Sequence, residues 1–395
     1  RRRTLRRPAT MATAHRLSTL LVLAGVSIAA VVAVEAPAAL AATAAPAAVA
    51  AVRAQVDTVG FATSRADMRA LLAALAARED SAVLARRAAL GLAAEDAWFA
   101  AIVPHDDYVY AGPTAYHVLP GLRARRWLLF GVCHACRRLG VRDRLLFDAD
   151  AAWRIGGEDV PVDAALRARL LARLGPDDAV VAADRHAAEH SLEALVPWLR
   201  AAVPDAAFVP ILVPGMSWER LLALADRLAA ALAEECREEG WLPGRDLGLL
   251  ISADAVHYGC EGWGAGGGYH PFGCDATGHA AGVAQDVTLA QATLAGPLTD
   301  DGLERFARLV WKPGDPQEPY LITWCGLYAI PCGLAVAARL QAALGGEPLP
   351  GHLLRYGDSV TDGRLPLADT RLGVTAPATL AHWVGYPALG YLPRR

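Results

Sequence analysis

The sequence predicts an α/β fold, a central sheet with helices over both faces, and three observations predict it. From about residue 57, short apolar runs of strand length alternate with longer stretches of helical periodicity. Strong breakers separate them, among them Gly175-Pro176, Pro214-Gly215 and Gly240. Residues able to bind a metal follow the apolar runs, and in open α/β sheets ligands bind beyond the carboxyl ends of the strands. The 395 residues are 54% hydrophobic and 20% charged, which is a globular composition with ample material for a core. A net charge of −3 leaves no electrostatic footprint for nucleic acid.

The elements are read in chain order. Arg1-Arg2-Arg3 and Arg6-Arg7 precede an apolar run over 17–34, and Ala39-Leu40-Ala41 follows. That is the order of a signal peptide, with an uncleaved anchor as the alternative. An Ala/Pro-rich stretch comes next, so residues 1–56 are read as leader plus linker and 57–395 as one domain. Export to the periplasm or the exterior follows if the leader is real, and a cytoplasmic protein otherwise. No later run is long and apolar enough to span a bilayer.

Over 64–77 the spacing of Met68, Leu71, Leu72 and Leu75 predicts a helix capped by Ser64 or Asp67. Strands are predicted over 97–103 and 126–132, and helices over 162–174 and 187–202. A buried strand over 208–213 precedes a long amphipathic helix over 218–239 that ends at Gly240. A strand over 247–252, helices over 280–294 and 299–310, a strand over 320–324 and a helix reaching 344 complete the pattern. The segment 258–279 is rich in glycine and reads as a mobile loop beside a site.

Five short motifs carry chemistry. Pro104-His105-Asp106-Asp107-Tyr108 follows a strand; imidazole binds Zn, Cu, Fe or Ni, and the plainer reading is a turn histidine with solvated acids. Cys133-His134-Ala135-Cys136 also follows a strand. No second C-x-x-C accompanies it, so His134 is weighted as a ligand and the flanking cysteines as buried thiols. His186-Ala187-Ala188-Glu189-His190 matches H-x-x-E-H, which on a helix would put both histidines on one side, as in a zinc hydrolase. Asp254 and His257, three apart beyond a buried strand, could work as an acid–base pair in which the carboxylate fixes the tautomer. Cys325 precedes a helix, where a thiol is expected to ionise more readily and act as a soft ligand. The seven cysteines are read as mostly free, with Cys325 and Cys133 chemical, because a chain of this size needs no disulfide framework.

In order, Pro-His-x-x-Tyr, Gly-x-x-His, Glu-His-Ser-x-Glu, Ser-x-Asp-x-x-His and Cys-Gly resemble the Memo family, whose bacterial version is called AmmeMemoRadiSam system protein B. Ser252-Ala-Asp-Ala-Val-His-Tyr-Gly, Thr323-Trp-Cys-Gly-Leu-Tyr-Ala-Ile-Pro, Gly357-Asp-Ser-Val-Thr-Asp and Val384-Gly-Tyr-Pro carry the likeness, which spans about residues 95 to 390. The resemblance implies a mixed central sheet between helix layers, as in class III extradiol dioxygenases. It also implies a mononuclear iron or copper, ahead of zinc, on His105, His134 and Cys325. His257, Asp254 and His190 match further residues of the pocket and would do the acid–base work. The expected activity is that of a metal-dependent, dioxygenase-like oxidoreductase on a small molecule. A non-catalytic metal-binding partner of a radical-SAM protein and of AmmeMemoRadiSam system protein A is the first alternative, and a zinc hydrolase using H-x-x-E-H the second. The chain departs from the family pattern at Asp106 and Asp107 and at Val132, Cys133 and Ala135, so its pocket wall differs.

Overall fold

A computed structural model describes residues 51–263, 268–312, 319–367 and 370–394. The expected leader and part of the glycine-rich loop, residues 264–267, lie outside the described residues. What is described belongs to one compact unit, Ala48–Arg395.

The strands are β1 (Val52–Ala54), β2 (Ala100–Val103), β3 (Arg126–Val132), β4 (Leu145–Phe147), β5 (Ala152–Ile155), β6 (Glu158–Pro161) and β7 (Ala179–Val181). They continue as β8 (Ala207–Val213), β9 (Leu247–Ser252), β10 (His257–Tyr258), β11 (Gly296–Pro297), β12 (Pro350–Asp358) and β13 (Trp383–Tyr391). The main sheet runs β11-β12-β13-β2-β9-β3-β8-β4-β7, with β10 added to β13, while β1, β5 and β6 make a small separate sheet. Its centre is parallel, from β2 through β9 and β3 to β8, and β12, β13 and β4 pair antiparallel. The mixed α/β arrangement read from the sequence is therefore observed.

Period-2 alternation explains why both faces are covered. In β3, Leu128 and Phe130 enter one buried cluster while Trp127 and Leu129 enter the other. In β9, Leu249 and Ile251 face the first cluster and Leu250 the second. The first is covered by helices α3 (Ala164–Leu174), α6 (Trp218–Glu239), α7 (Ala276–Thr293), α8 (Asp300–Val310) and α9 (Ala329–Ala343). The second packs under α1 (Arg65–Ala89), α2 (Tyr108–Ala115) and α5 (Val196–Ala202), and the short α4 (Ala183–His186) lies against β4. Caps fix the helix starts: the side chains of Ser64, Asp163, Ser217 and Thr299 accept backbone N–H groups of their first turns. Gly240 ends α6 at φ 68°, a left-handed position that favours glycine.

Three expectations need correction. Residues 52–54, assigned to the linker, form β1 beside Ala152–Arg154, because Arg53 is a buried cation that finds its partners only inside the fold. The helix expected over 187–202 is broken. The Glu189 side chain accepts the N–H groups of His190 and Ser191, and this local pairing competes with helix bonding until α5 begins at Val196. The segment 320–324 is no strand. Tyr320 bridges Trp311 and Trp324 bridges Val256, so its backbone serves two partners and no ladder forms.

Candidate metal centre

Register brings the first donors together. β2 and β9 are parallel neighbours with Val103 opposite Ser252, so the residues just beyond them leave the sheet at one edge. His105 is 2% exposed there, and its N–H donates to Asp254 Oδ1 at 2.8 Å. Its ring is oriented from behind. Ser252 Oγ donates to the carbonyl of Ser191 at 2.6 Å, so the 2.8 Å contact to His105 Nδ1 is one in which Nδ1–H donates to the hydroxyl. This tautomer leaves the Nε2 lone pair facing Cys325 and Asp254.

Cys325 arrives on the loop before α9. The N–H of His257 donates to Thr323, and Thr323 Oγ1 donates back to the carbonyl of His257 at 2.7 Å. The thiol sulfur accepts the N–H of Asp254 at 2.9 Å and lies 3.6 Å from His105 Nε2. Gly326 permits the approach, since a Cβ there would fall 2.3 Å from Cβ of Ala253. Asp254 Oδ2 lies 3.4 Å from His105 Nε2 and 3.9 Å from His257 Nε2.

The second group stands on turns. His134 lies between Cys133 and Cys136, which the structure joins in a disulfide. Glu189 grips it twice: Oε2 accepts the backbone N–H and Oε1 meets ring Nδ1, both at 2.8 Å. Nδ1 therefore carries the proton and Nε2 is left open. His190 stacks on His134 with ring centroids 4.8 Å apart, and both rings stand edge-on to His105. Gly131 lets this segment lie on β3, because a Cβ there would meet Cγ of Leu192 at 2.5 Å.

Two overlapping clusters result, His105–His134–His190 and His105–Asp254–Cys325, with donor atoms within 4.8 Å of one another in each. His105 belongs to both. The sequence-predicted trio of His105, His134 and Cys325 does not form one such cluster, since His134 and Cys325 fall in different ones. Asp254 and His190, expected to do acid–base work, stand at ligand distance instead. His257 lies beside them with Nε2 buried and unpartnered.

The electrostatics follow from burial and partners. Burial, with the charges of His134 and His190 adding to it, holds His105 well below the usual histidine range. Burial opposes protonation of His134, but the adjacent Glu189 carboxylate outweighs it and raises the ring. Glu189 is held far below the carboxylate range, against burial, by His134 and by its backbone donors. Burial and Asp254 push the Cys325 thiol up, the reverse of the expectation from a helix N-terminus. The helix begins only at Ala329, too far to act on the sulfur. Burial likewise pushes Asp254 up and takes His257 down to about 3. A cation at this point would offset the cost of ionising both the thiol and the carboxyl.

The donor set fits a transition ion. Atoms bound at about 2.0–2.3 Å to one tetrahedral ion are roughly 3.4–3.6 Å apart, which the His105–Asp254 and His105–Cys325 separations of 3.4 and 3.6 Å match. The H-x-x-E-H reading does not survive. His186 is fully buried with Nε2 2.9 Å from the carbonyl of Leu146, away from either cluster, and Glu189 is spent on His134. Sequence reasoning met Ser252 and Glu189 only as members of motifs, without their supporting roles, and missed Arg53. Arg53 donates to the carbonyls of His186 and Glu189 and pairs with Glu193 at 2.5 Å, tying β1 to the turn that holds His190. The expectation of mostly free cysteines is also corrected. Cys133–Cys136 and Cys260–Cys274 are disulfides, and Cys236, Cys325 and Cys332 are free. A cavity of about 840 Å³ opens on His134 and Cys325.

Comparison with known proteins agrees with the motif order. A family model described as Memo-like protein matches residues 79–265. A MEMO1 family protein of Caldivirga maquilingensis is 28% identical over 166 residues, 40% of this chain and 52% of that one. Another, from Pyrobaculum arsenaticum, is 30% identical over 163 residues with the same shares. The chain thus spans about half the length of the curated relatives it matches. The crystal structure of uncharacterized protein JW3007 from Escherichia coli K12 gives a TM-score of 0.39 at 14% identity, covering 72% of this chain and 98% of that one.

Proposed function

Because the chain belongs to the Memo family through the domain matched over residues 79–265, we propose that it is a metal-dependent oxidoreductase with one iron or copper ion. His105, Cys325 and Asp254 would hold the ion, with His134 and His190 on its open side. One observation carries this reading: His105 Nε2, freed by the bond of Nδ1 to Ser252, points at a thiol 3.6 Å away and a carboxylate 3.4 Å away. A nitrogen–sulfur–oxygen set of this kind favours iron or copper over magnesium or calcium. When bound, such an ion supplies one-electron chemistry and open coordination positions.

The protein's own residues set the conditions. Ser252 fixes which nitrogen of His105 is available, and Glu189 does the same for His134. Burial keeps His257 neutral, so its unpartnered Nε2 serves as a hydrogen-bonding group toward a bound molecule. His105 and Cys325 are both buried, which limits the water that reaches their donor atoms. Two disulfides support the view that the protein works in an oxidising compartment after export.

Elemental analysis after reconstitution with Fe(II) and, separately, Cu(I) tests the proposal. About one ion per chain is expected, and Cys325→Ala should lose it. A wild-type protein that takes up neither metal, or a Cys325→Ala variant that keeps its full complement, would end it.

A further inference from the structure

The cavity that opens on His134 and Cys325 has chemistry that the metal donors do not use. Its volume of about 840 Å³ is that of a small-molecule site. One wall is aromatic. Trp218 stands edge-on to Trp311 with ring centroids 6.2 Å apart, and Trp311 stands edge-on to Tyr328 at 4.5 Å. Tyr320 lines the same space. Rings set at angles present both faces and edges to a planar guest.

The charge of the lining is biased. Arg137, Arg142, Arg308 and Lys312 stand against Glu219 and Glu304. Arg142 is held by Asp143 at 2.7 Å and Arg308 by Glu304 at 2.5 Å. Arg137 is thereby the guanidinium of this lining without an ion pair among the described residues. It is exposed on the turn over residues 134–140, one residue from Cys136 of the disulfide. Arg137 lines the same cavity as Tyr320 and Tyr328, which puts its charge and the aromatic wall in one space.

We propose that this cavity binds an aromatic carboxylate, with the ring against Trp311 and Tyr328 and the carboxylate on Arg137. A guanidinium fork matches a carboxylate with two parallel hydrogen bonds. A neutral arene would leave that fork unused, and a small inorganic anion would leave the wall unused. The inner end of the guest would lie beside His134 and Cys325. The inference names the substrate class of the proposed metal site, and it rests on that reading only for the chemistry after binding.

The test titrates the full chain with 2-naphthoate, 2-naphthamide and decahydro-2-naphthoate, followed by tryptophan fluorescence and calorimetry. The naphthoate should bind about tenfold more tightly than either analogue. Arg137→Ala, a change at an exposed position, should weaken the naphthoate by about tenfold and leave the amide unchanged. The chelator-treated full chain should bind the naphthoate as the untreated chain does, so that loss of metal and loss of this site are told apart. Equal affinity for all three compounds, no binding at millimolar concentration, or an Arg137→Ala variant indistinguishable from wild type would overturn the proposal.

Discussion

The two halves of the site are built differently. His105, Asp254 and Cys325 are 2%, 1% and 6% exposed, and they stand where β2 and β9 leave the sheet or on a loop stitched to that point. The His134 side chain is 40% exposed, and His190 is half-buried on a turn. Sheet register fixes the first half, because moving His105 would mean shifting β2 against β9. One carboxylate, Glu189, fixes the second. The buried half is thus suited to hold an ion, and the open half to meet what enters from the cavity. Each half also has its own buried fastener. Arg53 ties down the turns, while Asp286 accepts from Val256 N, Trp324 Nε1 and Tyr356 Oη and so secures the segments on either side of Cys325.

The contrast can be broken most directly by alanine at one histidine from each half. His105→Ala should abolish metal uptake, whereas His134→Ala should weaken it and leave measurable stoichiometry. Equal loss from both would mean that the halves are energetically one. Next in size, Arg53→Ala strands the Glu193 carboxylate in the interior, which costs about 3–5 kcal/mol in comparable cases. Denaturant unfolding should show that loss.

Asp286 gives a pH signature for the buried half. Burial pushes its carboxyl up to about 6, from 3.8 in an unfolded chain. A raised folded-state value means that the native protein binds the extra proton between these limits. Its contribution to stability is fully present below 3.8 and is lost as pH rises through about 6, a change of roughly 3 kcal/mol. Asp286→Asn, although less stable overall through its lost acceptor, should flatten the fall in unfolding free energy between pH 4 and 6. An unchanged slope would place the titration elsewhere. The smallest effect is expected at the open half, where Glu189→Gln should weaken metal binding by about 10–100-fold through a loosened His134, with no change at His105. Competition against a chelator of known affinity would measure it.

The fold was legible where long periodic runs meet clear stops. The expected spans 126–132, 218–239 and 247–252 coincide with β3, α6 and β9. The antiparallel flank was not foreseen. β13 reads Trp-Val-Gly-Tyr-Pro-Ala-Leu-Gly-Tyr, and a proline with two glycines hides its alternation although every residue in it is buried. Among site residues, His105, His134, Asp254 and Cys325 could be found because each follows an apolar run, and His190 through the motif order. Their supports could not. Ser252 and Glu189 act on His105 and His134 from 147 and 55 residues away, and no local spacing records that. The H-x-x-E-H segment misled for the same reason, since its glutamate bonds its own backbone and ends the helix that the spacing assumes. Chain length argued against a need for disulfides, but a C-x-x-C turn closes by proximity whether or not the fold requires it.

β13 lies between β12 and β2, and Gly385 within it exchanges backbone hydrogen bonds with Ala255 and Val256. The loop bearing Asp254 and His257 is therefore fastened by residues 383–391, more than a hundred positions downstream. During synthesis His105 emerges long before the strand that completes its surroundings. The surroundings of His105 are thus complete only once β13 has paired with β2, so the loading we propose would follow that pairing rather than the synthesis of His105.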